Sequence, residues 1–318
     1  MAPTIALLLY AGLAGTLGSA ALRRARWTAR APRIGVAIWQ ALSASIVVAV
    51  VLTGVGFWMP EEGWNGLASL VHVCEAALGG TLVGTADALV HLAGLVGSVV
   101  VVVRLAAALS SELRRARRHR RSHLAMLRLA ATPDGSLGAL IVDHPAAAAY
   151  CLPGRAGHVI LTSAAIALLD DDELTAVMAH ERSHLRRRHH IVLGAAHAMA
   201  RAVPWLPGMR TAHQEQVRLV EMVADDAAAR SSTPQAVASA VLRLAEGAGP
   251  PPALAAAESA AAQRVERMLA DLSPLGTVTR ALACATVALV AAAPLLVAAA
   301  PALTAGHLDY CLVAGLAA

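Results

Sequence analysis

The stretch Ala176–Leu185, AVMAHERSHL, decides how the rest of the chain is read. His180 and His184 stand four residues apart, slightly more than one helical turn. On a helix both imidazoles leave from one face and can share a metal, with Glu181 beside them. Apolar residues precede the motif and neither glycine nor proline interrupts it. The acidic run Asp170–Glu173, ahead of the periodic Leu174, Val177 and Met178, is a helix start, where carboxylates suit the positive end of the dipole. The pattern predicts a zinc hydrolase site with one Zn2+ per chain and Glu181 as the general base.

A zinc of this kind takes three protein ligands and keeps one position for water. Downstream, RLVEMVADDAAA (residues 218–229) sets Glu221 and Asp225 one turn apart on the face that carries Val217 and Ala224. Two carboxylates on an apolar face need partners. Glu221 as third ligand and Asp225 as acceptor from a ligand imidazole meet that need. Asp226, off that face, reads as solvated. His189 and His190, after three arginines, read as the polar continuation of a helix, and His197 and His213 as structural.

Ala139–Val142 and His158–Thr162 are short apolar runs that read as strands. The second, His158, Val159, Ile160, Leu161 and Thr162, is expected to hold an extended substrate by adding it to the sheet edge. Thr233 before Pro234 starts a helix, and GAGPPP (residues 247–252) separates it from a last helix around residues 258–272.

The 318 residues are 57% hydrophobic and 15% charged, with mean hydropathy +0.60. That balance excludes a disordered chain and speaks against a purely soluble one. Four cysteines in a chain of this length exclude a disulfide scaffold. Uncharged or nearly uncharged runs at residues 4–22, 34–59, 81–105 and 281–303 are long enough to cross a bilayer, the last broken by Pro294 and Pro301. Asp87, His91 and Arg104 interrupt the third run. The arginines follow the first run rather than precede it, so it reads as an uncleaved span.

Orientation follows from arginine bias. Arg23, Arg24, Arg26, Arg30 and Arg33 crowd the first loop, whereas the loop at residues 60–80 has Glu61, Glu62 and Glu75 and no arginine. The expected architecture is a mainly α-helical, multi-pass protein of the cell membrane with both termini external. Residues 1–109 hold three spans, 110–280 form a cytoplasmic α+β zincin-like metallopeptidase domain, 281–303 a fourth span and 304–318 a short external tail. RRARRHRR (residues 114–121) at a span end reads as an anchor against anionic lipid, so the bilayer is a partner and direct nucleic-acid binding is not expected. Cys74 and Cys311 fall on the external side, where they are able to meet.

Tyr150–Leu185, YCLPGRAGHVILTSAAIALLDDDELTAVMAHERSHL, together with LVEMVADDAAA, resembles the membrane metallopeptidases of the BlaR and MecR type, antibiotic-sensing transducers related to the HtpX and prenyl-protease group. The resemblance implies zinc on His180, His184 and Glu221, Glu181 as general base and Asp225 as support. It also implies a protein substrate, either a winged-helix transcriptional repressor or, on the HtpX side, damaged membrane protein. One departure stands out. Those transducers bind β-lactam in a large external domain after the last span, by acylation at a Ser-x-x-Lys site, whereas only residues 304–318 follow here and the chain has no lysine. The non-enzyme alternative is a membrane signalling scaffold with structural zinc.

Overall fold

Twenty or more apolar residues without a charge gain nothing from water, and as helices they satisfy their own backbone. The computed structural model describes residues 2–58, 85–154, 157–247, 254–270 and 273–316. Among these, four helices are long and apolar enough to cross a membrane. They are α1 (Ala2–Arg24, with a π-helical turn at Ala14–Gly18), α2 (Pro32–Trp58), α3 (Thr85–Ala130) and α10 (Thr277–Leu316). The loop at residues 60–80, with Cys74, and the side chain of Cys311 lie outside what is described.

Two elements differ from the sequence reading. First, α3 runs unbroken for 46 residues, so the third apolar run and the arginine cluster form one rod. Second, α10 passes through Pro294 and Pro301 and on to Leu316, where a break and a tail were expected. Proline removes the N–H that would reach the carbonyl four residues back. For Pro294 that carbonyl is Val290, and the Tyr10 hydroxyl of α1 lies 3.3 Å from its oxygen and 2.9 Å from Ser45 Oγ of α2. A neighbouring helix thus supplies the missing donor.

The segment that carries the His180–His184 motif begins where α3 ends. Strands β1 (Ala131–Asp134), β2 (Ala139–Val142), β3 (Ala149–Leu152) and β4 (His158–Thr162) form one sheet in the order β1-β2-β4-β3. β4 pairs in parallel with β2, Leu140 opposite Ile160, and antiparallel with β3, Tyr150 opposite Ile160. This corrects the substrate-strand expectation. With both edges of His158–Thr162 hydrogen-bonded and Val159 to Thr162 buried, β4 has no edge to offer; the edge strands are β1 and, on β4's other side, β3. The alanine run Ala146–Ala149 hid β3, because it shows no alternation of apolar and polar residues.

The Thr162 side chain accepts from Ala165 N–H and starts α4 (Ser163–Leu168). A capping box between Asp170 and Glu173 starts α5 (Asp171–Arg186), the helix predicted from the acidic run. Glu173 is nearly inaccessible, with Ser239 and Arg243 of a later helix as partners. Val177 and Met178 of α5 pack with Val159 and Leu161 of the sheet. Then come α6 (His189–Ala202), α7 (Met209–Ala228), α8 (Pro234–Gly247) and α9 (Leu254–Leu269).

The main core does not stop at the expected domain boundary. Leu7 and Ala11 of α1 and Trp39, Leu42 and Ile46 of α2 share one cluster with Met199 and Ala202 of α6 and Met209, Leu219 and Met222 of α7. The tip between α6 and α7 meets α1 at two glycines. A Cβ on Gly15 would stand 2.7 Å from the Pro207 carbonyl oxygen, and one on Gly208, at φ 81°, 2.6 Å from the Gly15 carbonyl oxygen. Gly208→Ala combines that clash with left-handed strain and is expected to cost about 1–3 kcal/mol. Gly12→Ala, where no described residue lies within 4 Å of the added Cβ, should be neutral or slightly stabilising. Unfolding of the two purified variants in detergent checks this, and equal stability would refute the contact.

Candidate metal centre

Two helices meet at the site. α5 presents His180, Glu181 and His184, and α7, whose other side is anchored on the membrane helices, presents Glu221 and Asp225. Between α5 and α6 the chain reverses through Arg188, a non-glycine residue at φ 52°, so His189 opens α6 against the side of His184.

His180 Nε2 and His184 Nε2 are 3.1 Å apart. Glu221 reaches each with one oxygen, Oε2 at 3.4 Å from His180 and Oε1 at 3.6 Å from His184. One ligand atom from each of the three lies within 4.8 Å of the others. A tetrahedral ion with bonds of about 2.0–2.1 Å keeps neighbouring donor atoms roughly 3.3–3.4 Å apart. The spacing and the two-nitrogen, one-carboxylate donor set both fit zinc.

Behind the donors stands a charge chain. His180 Nδ1 lies 3.0 Å from Asp225 Oδ1, which fixes Nε2 as the atom facing the metal position. Asp225 is fully buried and receives Arg264 of α9 in a two-pronged contact, Nε to Oδ2 at 2.9 Å and Nη2 to Oδ1 at 2.5 Å. Arg264 Nη1 is 3.6 Å from Glu221 Oε2. His189 Nδ1 lies 3.1 Å from His184 Nδ1, the same outer position that Asp225 takes on His180.

Burial pushes the Asp225 carboxyl up, but Arg264 and His180 outweigh it and hold the group at about 2. Burial also raises Glu221, and there His180 and Arg264 pull it below the ordinary carboxylate value. Burial disfavours the His180 cation, yet hydrogen bonds to Asp225 and Glu221 raise it to about 9 in the metal-free site. His184 is lowered by burial, and His189 falls to about 4 by burial and the neighbouring His184. Burial raises Glu181. Burial and the neighbouring Glu181 push the half-buried Cys151 thiol of β3 up to about 12.

A cavity of about 530 Å3 opens beside these groups, with His180, Glu181 and Arg264 on one wall and Ala149, Val177 and Leu244 on others. The structure thus brings together His180, Glu181, His184, Glu221 and Asp225, all named from sequence. Asp226 is not merely solvated, since Arg267 Nη2 stands 2.6 Å from it. His190 is exposed, and His197 and His213 face each other away from the site. Sequence reasoning missed Arg264 and His189. An arginine among the alanines of α9 has no local partner and was a weak signal; His189, five residues past a ligand, was a stronger one.

Two histidines and a carboxylate around one position, with a further glutamate beside them, form a possible metal-binding site. Residues 112–248 match the model of peptidase family M48, whose members are metalloproteases and generally zinc-dependent. The match takes in His180, Glu181, His184, Glu221 and Asp225, stops before Arg264, and supports a protease function. No curated protein and no solved structure matches the chain.

Zinc takes a neutral imidazole, and in the metal-free site His180 holds its proton up to about 9. His184 is lowered and already neutral at pH 7, and Glu221 is already ionised. Zinc uptake at pH 7 should therefore release about one proton, and affinity should rise about tenfold per pH unit between 7 and 9. Calorimetry in buffers of different ionisation enthalpy counts the proton; a count of zero would remove the assignment of His180.

Proposed function

We propose that the chain is a membrane-embedded, zinc-dependent endopeptidase acting on the cytoplasmic side of the cell membrane. The observation that carries this reading is the triangle of His180, His184 and Glu221 donors with Glu181 alongside. When bound, zinc supplies a Lewis acid that polarises a peptide carbonyl and acidifies water. Glu181, raised by burial, accepts the proton of the attacking water and returns it to the leaving amine. Asp225 holds His180 in one tautomer, and Arg264 keeps Asp225 charged while leaving guanidinium N–H groups toward the cavity.

The β3 edge, with Cys151 facing Glu181, is where an extended substrate adds to the sheet. The substrate class we favour is a cytoplasmic repressor or signalling protein cut in regulated proteolysis, as the resemblance to the BlaR and MecR transducers suggests. Removal of damaged membrane protein, as in the HtpX group, is the rival. A purely structural zinc has no use for Glu181, which speaks against a scaffold.

Glu181→Gln removes the base and no ligand. It should retain zinc while cleavage falls by at least about 100-fold, whereas His184→Ala should lose the metal. Comparison of cleaved proteins in cells carrying wild type and Glu181→Gln tests the activity and points to the substrate; identical patterns would reject it. Reporters fused near Gly157 and Gly63 should behave as cytoplasmic and external respectively, and the reverse pattern would move the substrate to the other side.

A further inference from the structure

On the rear of α5, away from the metal donors, lies a second cavity of about 420 Å3. Five arginines line it: Arg33 from the first turn of α2, Arg182 and Arg186 from α5, Arg187 from the turn that follows, and Arg230 just beyond α7. No aspartate or glutamate is among the described residues of its lining. Arg186, Arg187 and Arg230 are exposed, and Arg182 spends one nitrogen on the Leu137 carbonyl, at 2.6 Å. The proximity is real at the level of charge: partial burial, Arg33 and Arg230 together hold the Arg187 guanidinium below its ordinary value.

The ends of α5 and α7 offer part of the compensation. A helix C-terminus carries about half a negative charge, so two ends supply roughly one unit against five guanidiniums. A concave site with that surplus selects anions. A second, independent feature points the same way. Ser183, between His180 and His184, lines the cavity at 4% exposure, and among the described residues its Oγ has no hydrogen-bond partner. A helical serine ordinarily donates to the carbonyl one turn back. This buried hydroxyl is unspent on the wall of an arginine-lined cavity, where it can donate to an anionic oxygen.

We propose that this cavity binds a phosphate group. Planar guanidiniums and a hydroxyl match tetrahedral phosphate oxygens better than a single carboxylate. The source is the headgroup of an anionic phospholipid or phosphate from solution. Arg33 at the end of a candidate span puts the cavity at headgroup level, the position in which arginines read anionic lipid. Bound there, the ligand touches Arg182 and Ser183, the two residues between His180 and His184, and stiffens the metal-bearing turn from behind. The proposal concerns binding and holds whether or not the chain cleaves peptides.

The test uses the full-length, zinc-loaded protein in neutral detergent, with thermal unfolding followed while three probes are titrated at constant ionic strength. The probes are phosphatidylglycerol, phosphatidylcholine and inorganic phosphate. Phosphatidylglycerol should raise the melting temperature and phosphatidylcholine should not. In Arg186→Gln/Arg187→Gln/Arg230→Gln the midpoint for phosphatidylglycerol should rise about 100-fold, since each arginine near an anionic headgroup is worth about a factor of five. The control Arg128→Gln/Arg210→Gln/Arg218→Gln, with the same loss of charge outside both the cavity and the 114–121 run, should stay near wild type. Ser183→Ala, checked for retained zinc, should weaken binding about tenfold. A shift with the lipid alone identifies the headgroup as the source, and a shift with inorganic phosphate identifies the soluble ion as sufficient. No shift with either anionic probe, equal response to the two lipids, or equal loss in both triple variants would overturn the proposal.

Discussion

The site depends on the solvation of one carboxylate. Asp225 is wholly buried, and a charge there survives only if other groups replace the water it has lost. Three helices contribute: α7 carries the carboxylate, α5 brings the His180 ring and α9 brings Arg264. Remove any one and the remaining two are left with an uncompensated charge or an untethered imidazole. The same contact that orients the His180 ring therefore holds α9 over the site.

The candidate metal site was legible because its residues stand at helical spacing. His180 and His184 lie about one turn apart, as do Glu221 and Asp225, and a helix converts those spacings into shared faces without outside help. Arg264 was not legible, because it is 39 residues from Asp225 and meets it only through packing of α9 on α7. β4 was recognised as a strand but misplaced as an edge, since periodicity reports which residues are buried and not which neighbour a strand pairs with. The four apolar runs were found by length and composition, while the continuity of α10 through Pro294 required a hydroxyl from α1 that no local rule anticipates.

Membrane and peptidase parts share side chains rather than meet at a surface. Gln216, fully buried on α7 five residues before Glu221, accepts from Gln40 on α2. Arg201 of α6 pairs with Glu112 of α3 at 2.8 Å, and Arg104 of α3 donates to the Ala202 carbonyl while stacking over Trp205. The helix that bears the third metal donor is thus held in register by polar contacts to one candidate span and by close backbone approach to another. A soluble fragment cut at the apparent boundary near residue 110 would expose this core, including Met199, Ala202 and Met209.

The unbroken α3 has a mechanical meaning. At 1.5 Å per residue its 46 residues make a shaft about 69 Å long, and β1 begins at Ala131 directly after Ala130 with no linker between them. With no hinge between helix and strand, a displacement of the lower part of α3 is carried to the first strand of the sheet. From β1 it passes through β2 and β4 to the Cys151 strand beside Glu181. The β3 edge beside Glu181 and the apolar stretch of α3 are two ends of one connected path.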